Sequence, residues 1–120
     1  MYDCLALNFS GLIPLVRFWQ LAIKTASPTS QRHFIASFTA YLDSAVREAA
    51  YRENDTIRTI DSYIQCRRDG VGAKPSFGIL ELELDLPDEV FYHPVIVELS
   101  DHIIDMIFIN DVSSIFISAV

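Results

Sequence analysis

The chain has 120 residues, 51% of them apolar, and a mean hydropathy of +0.27. That length fits one domain or part of one, and that composition excludes intrinsic disorder, which needs low hydrophobicity. Nine basic against sixteen acidic side chains give a net charge of −7, which argues against nucleic acid as a partner, since such binders carry a basic footprint.

The first periodic segment is 11–25. Leu15, Phe18, Trp19 and Ala22 recur at helical steps of three and four. Pro14 fits the first turn of such a helix, where its missing N–H does no harm. The segment 30–53 gives the clearest helical pattern. Phe34, Phe38, Tyr41, Ala45 and Ala49 form one stripe, and Pro28 and Thr29 supply the start signal. Asp43 with Arg47, and Glu48 with Arg52, are acid-to-base pairs four residues apart in the favourable order.

The segment 56–68 repeats the period with Ile57, Ile60 and Ile64, and Asp55 is a plausible N-cap. Arg67 and Arg68 in the last turn, followed by Gly70 and Gly72, end it as cations and glycine predict. Residues 79–86 alternate strictly, the period of a strand. Leucine and glutamate are nevertheless helix formers, and the chain offers no convincing second strand. The segment is therefore read as helix. A last helix covers 95–117, with Ile96, Leu99, Ile103, Ile107, Asn110 and Ser114 near one stripe. The whole is an all-α chain of four to six helices.

Charge is uneven along this series. Residues 1–60 are net +1 and residues 61–120 net −8. After Lys74 there are nine carboxylates and no Lys or Arg. Such a stretch is a solvated acidic face, meets cations, or is partnered by basic chain that is not here. Cys4 and Cys66 form no CxxC pair and are too few for a disulfide scaffold. They read as free thiols of a reducing, cytoplasmic compartment. The N-terminus has no basic n-region and makes a poor signal peptide. The most apolar stretch, Ile103 to Val120, is broken by Asp105, Asn110 and Asp111, so no membrane span is expected.

Two groupings could carry chemistry. Asn110, Ser114 and Ser118 are spaced i, i+4, i+8 and lie along one helix face. Oxygen donors so placed suit Mg²⁺, although Ser118 is a weak neutral donor where a carboxylate is wanted. The same trio also fits a plain polar helix end. The paired arginines Arg67 and Arg68, before a glycine-containing break, can present forked donors to phosphate. They equally compensate the helix dipole. His33, His93 and His102 share no metal-ligand spacing, and no Ser or Cys lies in a nucleophile motif. The fourteen aromatic side chains are read as core, and none is assigned to catalysis.

Taken in order, Tyr63-x-x-x-Arg67-Arg68-x-x-x-Gly72-x-x-Pro75, then Leu86-Pro87-Asp88-Glu89-Val90-x-x-His93-Pro94, then Asn110-Asp111-x-x-Ser114, the motifs resemble class I terpene synthases. The resemblance is to the fungal sesquiterpene cyclases in particular and covers about 19–114. It implies part of an α-helical bundle around an apolar pocket. It also implies a prenyl diphosphate substrate such as farnesyl diphosphate, Mg²⁺ as cofactor, and ionisation and cyclisation with release of pyrophosphate. By the same resemblance Arg67 is the pyrophosphate sensor, with Arg68 beside it, and Asn110, Ser114 and Ser118 stand at the positions of one metal motif.

The departures are specific. No aspartate-rich D-D-x-x-D/E metal motif is present. The family's Glu is Ser118, the Thr often found three residues after the sensor is Gly70, and the sequence beyond Ser114 no longer resembles the family. The resemblance therefore implies a single partial domain over 1–120, an internal fragment with atypical ends, inactive alone. Its exposed apolar faces would favour self-association, and the basic partners of its acidic half would lie in absent helices. The alternative is a non-catalytic acidic helical module that binds a partner through an apolar face.

Overall fold

The computed structural model describes residues 3–118, with side chains described for 13–114, 117 and 118. Among the described residues six helices follow one another: α1 (Asp3–Ala22), α2 (Pro28–Glu53), α3 (Ile60–Gly70), α4 (Ala73–Glu81), α5 (Asp88–Phe91) and α6 (Pro94–Ser118). No strand occurs among the described residues, and the all-α reading holds. No helix of the described residues is long and apolar enough to cross a membrane.

α2 is the axis of the fold. The Ser27 hydroxyl caps it by accepting from the Ser30 N–H at 3.1 Å, and Pro28 occupies the first turn, where its fixed φ is preorganised. Phe34 is buried and stacks on Trp19 of α1 and on Phe38, with ring centres 5.5 and 5.8 Å apart. Ala26 and Leu82 complete this small core. Past Tyr41 the predicted stripe ends. Ala45 and Ala49 are exposed, and the covered face turns to Ser44 and Glu48, where α3 lies. Small and charged side chains make that contact, so hydropathy alone did not reveal it.

Local chemistry moves several predicted boundaries. α1 runs through Pro14 rather than starting there, and forgoes the hydrogen bond that a proline N–H cannot make. Asp55 does not cap α3. It has φ of 47°, and its N–H and that of Thr56 turn back to the Arg52 and Tyr51 carbonyls, so it ends α2. An N-cap needs extended backbone, and Thr59 provides it, accepting from the Ser62 N–H at 3.2 Å. Ile57 is left outside the helix and 97% exposed. Arg58 clips this corner, its guanidinium 4.5 Å from the Tyr51 ring centre and 5.2 Å from that of Tyr63.

The expected helix over 79–86 is displaced. Gly72, at φ of 79°, makes a left-handed turn that other residues resist. α4 then starts at Ala73 and stops at Glu81, with Pro75 in its first turn. Leu82 is buried, Leu80 and Leu84 are exposed, and Asp85 turns left-handed at φ of 47°. The alternation thus spans a helix end and a turn and defines no face.

Glu81 sits at that end. Burial raises its carboxyl above the ordinary glutamate range, opposed by the nearby His33 charge, and its Oε2 is buried without a partner. An acid with a raised folded pKa costs stability once ionised, and that cost disappears as pH falls through the folded value. Glu81→Gln is expected to raise the melting temperature at pH 7 by about 2 °C and to lose that advantage in acid. Thermal melts at the two pH values measure it.

α6 matches its predicted span but not its predicted face. Ile96, Leu99, Ile103 and Ile107 are at least 39% exposed, whereas Ile104 is 0% exposed. Asp101, Asp105 and Phe108 flank Ile104 on the covered side, toward α3. The radius of gyration is 16.5 Å, against about 14 Å for a compact chain of this length. The bundle is open, with apolar side chains of α1, α2 and α6 on its outside.

Candidate functional site: the arginine pair between α2, α3 and α6

The last turn of α3 packs tightly on α2. A Cβ added at Gly70 would stand 3.0 Å from Ser44 Oγ, so only glycine admits this approach without displacement. Cys66 is buried here as a free thiol, its Sγ 3.9 Å from the Ser44 carbonyl. The side chain of Cys4 lies outside the described residues. This packing sets Arg67 and Arg68 between α2 and α6.

The two arginines differ in occupancy. Arg68 donates from Nε and Nη2 to both carboxylate oxygens of Asp105, at 2.9 and 2.8 Å. Asp101 adds a charge 3.8 Å away, and Lys74 joins Asp101 to Asp69 at 3.4 and 3.6 Å. The Arg68 hydrogen bonds, with its charge, hold the Asp105 carboxyl below its ordinary range against partial burial, and the Arg68 guanidinium is raised in turn. The fork of Arg68 is filled.

Arg67 has only long ion pairs. Its Nη1 lies 4.0 Å from Glu48 Oε1 and its Nη2 3.9 Å from Asp111 Oδ2. Its Nε is buried with no acceptor. The guanidinium is 6.0 Å from the Phe108 ring centre. Apolar clefts of about 200 Å³ beside Ser37, Phe77 and Ile96 and about 440 Å³ beside Trp19 and Phe34 lie elsewhere. Arg67 lines neither.

The acidic second half is therefore not waiting for absent cations throughout. Asp101, Asp105 and Asp111 meet Arg67, Arg68 and Lys74 of the same chain. The spacing of four between Asp101 and Asp105 on α6, opposite an arginine pair, is the signal that a charge count passes over. Glu48 does pair with Arg52 at 3.5 Å, but Arg47 reaches Asp69 rather than Asp43. Asp88 is held by Arg32 and by buried His33, whose Nε2 is 2.7 Å away. The His33 hydrogen bond lowers the Asp88 carboxyl, and the His33 ring stacks on Phe91 at 3.8 Å. This ties α5 to α2. His33 is thus a satisfied helix histidine.

Asn110, Ser114 and Ser118 share one face of α6 as predicted, and that face is exposed rather than interior. The Ser114 hydroxyl donates to the Asn110 carbonyl and the Ser118 hydroxyl to the Ser114 carbonyl, both at 2.9 Å. The three donors are neutral. The neighbouring carboxylate, Asp111, faces Arg67. No group of three His, Cys, Asp or Glu suited to a metal occurs among the described residues. A divalent ion needs negative oxygen ligands, so this set does not fit one by itself.

Comparison with known proteins gives the family that the sequence resembles. A family model described as terpene synthase family 2, C-terminal metal binding, matches residues 14–115. The chain is 54% identical over 99 residues to Sesquiterpene synthase 14 of Postia placenta, covering 82% of this chain and 28% of that protein. It is 52% identical over 95 residues to Delta(6)-protoilludene synthase 18 of the same fungus, covering 79% and 27%. It is 52% identical over 99 residues to the Delta(6)-protoilludene synthase of Armillaria gallica, covering 82% and 29%. The chain thus spans less than a third of the length of these relatives, and it belongs to the terpene synthase family.

Proposed function

We propose that the chain carries part of the diphosphate-binding face of a class I sesquiterpene synthase acting in the cytoplasm. The substrate class is a prenyl diphosphate such as farnesyl diphosphate, ionised and cyclised with release of pyrophosphate. The observation that supports this is the unequal arginine pair. Arg68 is committed to Asp105 and fastens α3 to α6, while Arg67, one residue away and with its side chain 27% exposed, has only ion pairs of 3.9 and 4.0 Å. A guanidinium with free N–H groups is suited to a diphosphate oxygen. Arg68, neutralised by Asp105 and Asp101, positions Arg67 rather than offering free charge.

The metal of this reading is Mg²⁺, which supplies positive charge against the departing diphosphate. Asn110, Ser114 and, more weakly, Ser118 would contribute only neutral oxygens, and the negative ligands would come from elsewhere. The open apolar faces of α1 and α6 are surfaces for the rest of a synthase bundle. The chain alone encloses no substrate and is inactive in this reading.

Calorimetry with inorganic pyrophosphate and MgCl₂ tests the assignment. The chain is expected to bind pyrophosphate, and Arg67→Ala to lose at least about tenfold in affinity, as for a charged hydrogen bond of about 1.5–3 kcal/mol. Equal affinity in the variant, with unchanged circular dichroism, removes Arg67 from the site.

A further inference from the structure

Asp111 stands where an anionic ligand of Arg67 would arrive. We propose that Asp111 is a resident competitor at Arg67, an internal anion that a diphosphate displaces. This rests on the reading of Arg67 as a pyrophosphate-binding residue.

The geometry separates the two carboxylates around Arg67. Glu48 approaches from α2 with its side chain 18% exposed, and Arg52 backs it at 3.5 Å. Asp111 approaches from α6 with its side chain 51% exposed. It has no second cation among the described residues. Its 3.9 Å separation from Nη2 is an ion pair without a hydrogen bond. By contrast, Asp105 grips Arg68 at 2.8 and 2.9 Å. An exposed ion pair of this kind is weak and easily exchanged, whereas the Glu48 carboxylate is the more covered of the two. The Asp111 carboxylate therefore satisfies Arg67 electrostatically when no ligand is present and yields to a more highly charged anion. Glu48 stays and keeps the guanidinium oriented.

Removing the competitor should tighten binding. Inorganic pyrophosphate is titrated into the chain without added metal, followed by calorimetry and by the Arg67 Nε–H resonance. Asp111→Asn is expected to bind about two- to fivefold more tightly than the parent chain, the scale of an exposed ion pair. Glu98→Gln removes the same charge from the same helix, thirteen residues or about 20 Å away, and is expected to leave affinity unchanged. If Arg67→Ala abolishes binding while Asp111→Asn is no tighter than Glu98→Gln, Asp111 does not compete and the inference falls. If Asp111→Asn and Glu98→Gln tighten binding equally, only net charge is at work, and it falls again. If neither the folded parent nor Asp111→Asn binds, the reading of Arg67 itself fails and takes this inference with it.

Discussion

Ile104→Ala is expected to lower unfolding free energy by about 3 kcal/mol, within the usual range for deleting a buried isoleucine. Ile104 is the largest fully buried side chain among the described residues, at 0% exposure. α6 rests on α3 and α5, and most of its other large apolar residues face outward. Few alternative contacts exist to refill the void. The loss is a large fraction of the stability of a small domain. Urea unfolding measures it, and Ile104→Val, which removes a single methylene, should cost about 1 kcal/mol. Equal midpoints for parent and Ile104→Ala would mean that α6 does not depend on this side chain.

The second large effect is at Arg68. Arg68→Ala leaves Asp105 and Asp101 facing each other on α6 with Lys74 as the nearby cation. The pair is about three-quarters covered, with side-chain exposures of 26% and 29%, so solvent screens it only in part. The expected loss is about 2 kcal/mol, the scale of charge-assisted hydrogen bonds. Arg68→Lys should restore little, because an ammonium cannot match the two-oxygen fork.

The same pair sets an acid limb. The Arg68 hydrogen bonds hold the folded Asp105 carboxyl below its unfolded value. The folded state thus binds that proton more weakly. The stabilisation is complete above the ordinary aspartate range of about 3.9 and is lost as pH falls through the folded value. Urea midpoints measured from pH 7 downward should fall more steeply below about pH 4 in the parent than in Arg68→Ala. Parallel curves would deny the pair that role.

Much of the fold, and the family, was legible in residue order. The 3.6-residue period placed α2 and α6 within a few residues of their ends, and the motifs from Tyr63 to Ser114 led to the family. Those features are local, or depend on spacing along the chain, so sequence expresses them directly. Other points were read wrongly. Asp55 and Thr59 are both competent caps by type, and backbone handedness chose between them. The segment 79–86 reads as one helix, and it instead spans the end of α4 and a turn, because no single residue shows where a helix will stop.

What the sequence determined alone is the all-α class, the family, and which groups are available: two arginines, an acidic α6 and three neutral oxygens. Tertiary structure decided how they are used. Packing of Gly70 against Ser44 brought α3 onto α2, and Ile104 turned α6 so that Asp105 met Arg68. That left Arg67 between Glu48 and Asp111 with donors unfilled. An ion pair depends on where two side chains lie in space to within about an ångström. Arg68 and Asp105 are 37 residues apart along the chain and 2.8 Å apart in the fold.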